Sequence, residues 1–251
     1  MEILFTFLRT LLNIISPARK RPKITIRSSE ALYTKPSKAL REQEMKSSII
    51  IDDKEIPIAW DKVVTYKTNP EWGLPEDNMK KRNSHRGVRS VVVHWDGCLD
   101  SEMCHRVITN RGLSVHFCID TDGTVIQLMD ANDIAWHARG VNTQSVGIEV
   151  ANPVFLKYQD KENPRPIWKA DKVHRREVPD RLGFYPEQEE ALKALVQALC
   201  GYYSLPIITP SWKGIIKDPQ KFKGVLGHYH ISTNKTDPLG FDFSKFLIIL
   251  H

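Results

Sequence analysis

The stretch RSVVVHWDGC, residues 89–98, constrains this chain more than any other. Three consecutive valines favour extended backbone, because two heavy atoms on Cβ restrict χ1 and pack well on a pleated surface. A continuous apolar run of that kind suits a strand covered on both faces. It ends on His94 and turns at once through Trp95, Asp96 and Gly97, so a rigid strand carries an imidazole to its end. Whether His94 is a satisfied core histidine or a group aimed at something depends on what else the chain brings to that edge.

The rest of the pattern supplies a sheet for it. LSVHFCI and TVIQLM read as two strands joined across DTDG, whose Asp-Gly is a strong hairpin signal, and SVGIEV reads as a further strand. Between the valine run and the hairpin, DSEMCHRVITNRG predicts a helix that Gly112 closes. YPEQEEALKALVQALCGYY predicts a second helix, with Pro186 in its first turn, acidic residues beside it, and Leu192, Leu195, Val196 and Leu199 on one stripe. Near the end, FKGVLGHYH reads as a short strand running into a polar loop. Interleaved strands and helices predict an α/β fold with a single mixed β-sheet flanked by helices.

Outside that frame the pattern loosens. Residues 1–16 place Ile3, Leu4, Phe5, Leu8, Leu11, Leu12 and Ile15 on one helical face and polar residues on the other, which predicts an amphipathic helix ended by Pro17. It is short of a bilayer span, and with Glu2 in place of a basic leader, Arg9 inside the apolar run and no small-residue cleavage site it makes no convincing cleavable signal peptide. With Arg19, Lys20, Arg21 and Lys23 following, residues 1–27 suit contact with an anionic membrane surface or a partner. Residues 17–84 read as a linker and irregular extension. Residues 153–184, rich in Pro, Lys and Arg, read as a surface insertion in a domain spanning 85–251.

Charge and cysteines narrow the function. The formal charge of +6 is carried by the N-terminal region, because residues 1–46 hold ten Lys/Arg against four Asp/Glu, whereas residues 47–251 hold twenty-six of each. A neutral body has no basic face to track phosphates, which argues against nucleic acid as a partner. The four cysteines form no CxxC pair and are too few for a disulfide scaffold; Cys98 and Cys104 bridge only if the local turn brings them together, and buried free thiols are the plainer reading.

Among nine histidines, arrangement singles out His94 at one strand end, His228 at the end of another, and Asp237 in the loop NKTDP. A hydrolytic zinc site needs three nitrogen or oxygen ligands and one open position, which two strand-end histidines and a loop carboxylate supply. His228 with His230, as an H-x-H pair on one face of a strand, is the competing ligand set.

At these residues the chain resembles the zinc-dependent N-acetylmuramoyl-L-alanine amidases, a family that includes phage amidase-type lysozymes, anhydro-muropeptide amidases and peptidoglycan recognition proteins. The resemblance covers about residues 85–246 and rests on VVVHWDG, HFCIDTDGTVIQLM, AWHARGVNTQSVGIEV, EQEEALKALV and VLGHYHISTNKTDPLGFDF in that order. It implies hydrolysis of the amide between N-acetylmuramic acid and L-alanine in peptidoglycan or muropeptides, with Zn2+ held by His94, His228 and Asp237. His228 is preferred to His230 because the family's ligand follows a glycine, here Gly227. The resemblance further implies Glu149 as general base and Lys235 as the cation that steadies the oxyanion, with His137 and Asn142 lining the substrate groove. Val115 stands where the phage lysozyme branch has a catalytic tyrosine, so a tyrosine-assisted mechanism is not expected. The alternative function is a non-catalytic peptidoglycan-binding module, distinguished by loss of a metal ligand.

Overall fold

The computed structural model describes residues 47–82, 84, 87–245 and 247–250. A hairpin of β1 (Ser47–Ile51) and β2 (Lys54–Ile58) comes first, followed by β3 (Val63–Thr65) and β4 (Met79–Lys80). The valine run is β5 (Ser90–Trp95). Helix α1 (Ser101–Asn110), β6 (Phe117–Ile119), β7 (Val125–Gln127), β8 (Ile134–Ala135) and β9 (Ser145–Val150) follow it. Four short strands, β10 (Ile167–Trp168), β11 (Asp171–Val173), β12 (Arg176–Val178) and β13 (Arg181–Leu182), lead to helix α2 (Pro186–Tyr203), and β14 (Ile208–Pro210), β15 (Gly224–Gly227) and β16 (Ile248–Leu250) come last.

Six strands form the expected mixed sheet, in the order β15-β5-β9-β6-β7-β3. All neighbours run parallel except β6 and β7, the hairpin closed by DTDG, where the Asp120 N–H donates to the Thr124 carbonyl at 2.9 Å and Gly123 takes a φ of 81°. Alternation along the strands divides two layers. Val91, Val93, Phe117, Ile119, Val146, Ile148 and Val150 face a core shared with Leu192, Leu195, Val196 and Leu199 of α2. On the opposite face, Cys118 packs with Cys104 and Ile108 of α1, and Val92 and Leu226 pack with Ala138 and Val141. All four cysteines are free and buried.

Three expectations need correction. The segment 47–82, read as part of a linker, is folded: Ile49, Ile51 and Ile58 join the α2-side core, and β3 completes the sheet. The insertion 153–184 is only partly a surface feature, since Val173, Arg181, Leu182 and Phe184 are buried. The strand read from LSVHFCI is shorter, because Ser114 turns aside to accept a hydrogen bond from the Trp136 N–H at 2.7 Å. The helix expected over residues 1–16, and the membrane contact assigned to residues 1–27, lie outside the described residues. Among those described, no helix is long and apolar enough to cross a membrane.

The β1–β2 hairpin is tied to the sheet in part by the side chain of Gln127. Gln127 is fully buried; its Oε1 accepts from the Ile50 N–H at 2.7 Å, while its Nε2 donates to the Ile50 carbonyl at 2.6 Å and the Met129 carbonyl at 2.9 Å. An amide side chain thus stands in for a strand partner. Gln127→Ala removes the partner of the Ile50 N–H and of the Met129 carbonyl, while the Ile50 carbonyl keeps the Ala131 N–H at 3.2 Å. At about 1–3 kcal/mol for each unpaired group, urea unfolding should show a loss on the order of 3 kcal/mol, and a loss under about 0.5 kcal/mol would mean the hairpin is held without Gln127.

Candidate metal centre

Parallel pairing of β5 with β9 sets His94 directly across from Glu149. Residues in register on neighbouring strands share a face, so both side chains point to the side opposite the α2 core. β15 pairs with β5 on its other edge and ends at Gly227, where a 3-10 turn over His228–His230 begins. The loop that follows returns Asp237: the Tyr229 N–H donates to the Asp237 carbonyl at 3.0 Å. Gly227 permits this return, since a Cβ there would lie 2.9 Å from the Pro238 ring.

Three donor atoms converge as a result. His94 Nδ1 lies 2.9 Å from His228 Nδ1 and 3.0 Å from Asp237 Oδ2, and His228 Nδ1 lies 3.1 Å from the same oxygen. All three residues are buried. Burial, and next the neighbouring His228, lowers His94 to about 4, so its ring is neutral. Burial opposes ionisation of Asp237, but its contacts with His228 and His94 outweigh that and hold the carboxyl well below its usual range. Neutral imidazole and ionised carboxylate are the forms that bind a metal.

The donor chemistry fits a cation. One proton cannot satisfy a triangle of this size: protons on both Nδ1 atoms would collide across 2.9 Å, and a single proton leaves one nitrogen lone pair facing the carboxylate oxygen. A divalent ion with about 2.0–2.2 Å bonds to nitrogen and oxygen satisfies all three at once. His230 is not part of this group. Its Nδ1 accepts from the Gly227 N–H at 2.9 Å and its Nε2 donates to the Trp212 carbonyl at 3.0 Å, so both ring nitrogens are engaged in holding the turn. The one-face argument for an H-x-H pair fails because residues 228–230 form a turn and not a strand.

The triad opens on a cavity of about 710 Å³ that Glu149, His137, Asn142, Lys235 and Val115 also line. Glu149 Oε2 is buried without a hydrogen-bond partner, and burial, followed by Asp96 and Asp237, raises its carboxyl well above the usual range. Lys235 is exposed, two residues before Asp237. Asn142 is occupied with local structure: its Oδ1 accepts from the N–H groups of His137 at 3.2 Å and Ala138 at 2.7 Å. Asp96, next but one after His94, bridges two loops, its Oδ1 accepting from the Cys98 N–H after β5 and the Asn152 N–H after β9. Ser145 and Gly147, which the sequence reading did not single out, share the face of Glu149, and the alternation S-V-G-I-E-V carries the signal that would have found them.

The family model for N-acetylmuramoyl-L-alanine amidase matches residues 83–240. In structure the chain is similar to the N-acetylmuramoyl-L-alanine amidase LysC from Clostridium intestinale URNW, at 20% identity and a TM-score of 0.45, over 74% of this chain and 94% of that one. It is similar to the Ph2119 endolysin from Thermus scotoductus MAT2119 bacteriophage Ph2119, at 14% identity and a TM-score of 0.45, over 73% of this chain and 96% of that one. It is also similar to AmiD from E. coli, solved with anhydro-N-acetylmuramic acid-L-Ala-D-gamma-Glu-L-Lys, at 19% identity and a TM-score of 0.41, over 65% of this chain and 62% of that one. Among curated proteins, none matches this chain in sequence.

The two nearby histidines separate cleanly in a cobalt(II) titration followed by visible absorption. His228→Gln should abolish the saturable d–d signal, whereas His230→Gln, which keeps an amide able to hold the turn, should retain it. Loss in the second variant but not the first would reverse the assignment.

Proposed function

The chain belongs to the N-acetylmuramoyl-L-alanine amidase family, and we propose that it hydrolyses the amide between the lactyl group of N-acetylmuramic acid and L-alanine, with zinc held by His94, His228 and Asp237. The observation that carries this reading is the convergence of those three donor atoms within 3.1 Å of one another inside the span that the family model matches. When bound, zinc supplies a Lewis acid that polarises an amide carbonyl and makes water nucleophilic near neutral pH.

The remaining work belongs to the protein. Glu149 is the general base: it is the strand neighbour of His94, it lines the same cavity, and its Oε2 has no competing partner. It takes a proton from the attacking water and delivers it to the alanine nitrogen as the C–N bond breaks, which keeps the departing stem peptide a neutral amine. Lys235 brings a cation to the cavity rim and stabilises the oxygen that gains charge in the transition state. Asn142 holds the 137–138 backbone that forms one wall of the groove. The substrate this supports is peptidoglycan or a muropeptide released from it.

The reading is tested by mass analysis of peptidoglycan fragments after incubation with the purified protein. Cleavage at the lactyl-alanine bond liberates a free stem peptide; fragments left intact would overturn the hydrolase reading. Glu149→Gln should keep zinc and fold but lose about a hundredfold or more in kcat, the usual scale for a general base. Lys235→Met should also retain zinc, with a loss on the order of tenfold to a hundredfold, and undiminished turnover in either variant removes that residue from the reaction. By metal analysis after dialysis, His94→Ala and Asp237→Ala should fail to retain zinc, and full occupancy in either would overturn the ligand set.

A further inference from the structure

His94 meets the metal position with Nδ1, so its ring can serve as a ligand only with its proton on Nε2. The groups behind the ring fix that proton. His94 Nε2 lies 3.0 Å from His137 Nδ1, and His137 Nε2 lies 3.1 Å from Ser145 Oγ. The Ser145 hydroxyl in turn donates to the Val141 carbonyl at 2.8 Å. A hydroxyl has one hydrogen. With it committed to a carbonyl that can only accept, Ser145 must accept from His137 Nε2–H. His137 Nδ1 is then a lone pair, and His94 Nε2 must donate to it. The direction of every proton therefore follows from one backbone carbonyl, and the last step leaves the His94 Nδ1 lone pair facing the metal position.

We infer that His137 and Ser145 form a relay that sets the tautomer and orientation of His94, which makes His137 a positioning residue and gives it a role apart from the substrate contact expected for it. The inference rests on the reading of His94, His228 and Asp237 as a metal site.

Its surroundings are built to hold the ring in this one pose. Gly147 lies directly against it: a Cβ at that position would fall 2.6 Å from His137 Cγ and Nδ1. The His137 and Ala138 N–H groups are clamped by Asn142, so the backbone cannot swing the ring away. The ring of His116 stands edge-on to it, at 5.9 Å between centroids. His116 is itself fixed, since its Nδ1 accepts from the Gly147 N–H at 2.9 Å and its Nε2 donates to the Asp133 carbonyl at 3.0 Å. Outer partners of metal-binding histidines are worth roughly ten- to a hundredfold in metal affinity.

The test uses the full-length protein and two readouts. Long-range proton–nitrogen NMR on metal-free protein should show the His94 ring in the Nε2–H form. Competition with a chelator should show zinc bound about ten- to a hundredfold more weakly by His137→Ala. His137→Asn, whose amide oxygen can accept where Nδ1 does, should recover most of that affinity and the Nε2–H signal, a rescue that a packing role alone would not give. Ser145→Ala, which frees the far end of the relay, should yield a mixture of His94 tautomers. Nδ1–H as the main form of His94 in the wild type would overturn the relay, as would a zinc affinity for His137→Ala within twofold of wild type. So would Asn weakening zinc as much as Ala. If His137→Ala does not fold, the Asn and Ser145 variants decide. Wild-type protein that binds no zinc would sink the metal reading, and the NMR result would still decide the relay.

Discussion

The in-register parallel pairing of β5 with β9 is the constraint on which the rest of the site depends. It places His94 opposite Glu149, and with them Gly147 and Ser145 on the same face two and four residues earlier along β9. A slip of β9 by one residue would send Glu149, Gly147 and Ser145 into the α2 core and bring Val146, Ile148 and Val150 out to the cavity. The apolar half of that exchange is what forbids it, since each of those three side chains is fully buried and losing such burial costs about 1.5–3 kcal/mol apiece. Hydrophobic packing on one face thereby fixes the polar geometry on the other to within a hydrogen bond's tolerance.

The second half of the site comes from a loop and needs its own anchors. Gly227 lets the 3-10 turn and Pro238 approach, and the Tyr229 N–H joins the turn to Asp237. The insertion adds a further tie. Arg181, almost fully buried, donates from Nε to the Leu239 carbonyl at 2.9 Å and from Nη1 to the Val178 carbonyl at 3.0 Å, so the short strands of 153–184 brace the loop two residues beyond Asp237. A segment that looks dispensable by composition is thus coupled to the loop that carries Asp237 through one guanidinium.

Much of this was legible from local pattern, and the failures have identifiable causes. The period-two alternation of SVGIEV, the valine run and the apolar stripe of α2 are near-neighbour signals that survive folding unchanged. The hairpin of β1 and β2 was missed because its turn is Asp52-Asp53, both at positive φ, in place of the glycine-bearing pair that marks such a turn. What makes it affordable is distant: the Asp130 carboxylate accepts from the Asp52 and Asp53 N–H groups at 2.8 Å each, from about eighty residues downstream. His230 was ambiguous beside His228 for a similar reason, since its two ring nitrogens are taken up by Gly227 and by Trp212 eighteen residues away. Short-range pattern reports which face a residue occupies; it carries nothing about which atoms of other segments will meet it there.

The buried imidazoles show how the fold reconciles a polar site with a dry interior. His94, His116, His137 and His230 are each driven toward the neutral form, with burial as the largest cause. A neutral ring offers one donor and one acceptor, and in this fold each of the last three places both against named partners, so the interior bears little desolvation cost for them. His94 is the exception: its Nε2 is satisfied by His137, while its Nδ1 meets only another nitrogen and a carboxylate. Among these four rings the unsatisfied electron pair therefore falls on His94 alone, beside His228 and Asp237, where a cation's binding energy would add directly to the stability of the folded chain.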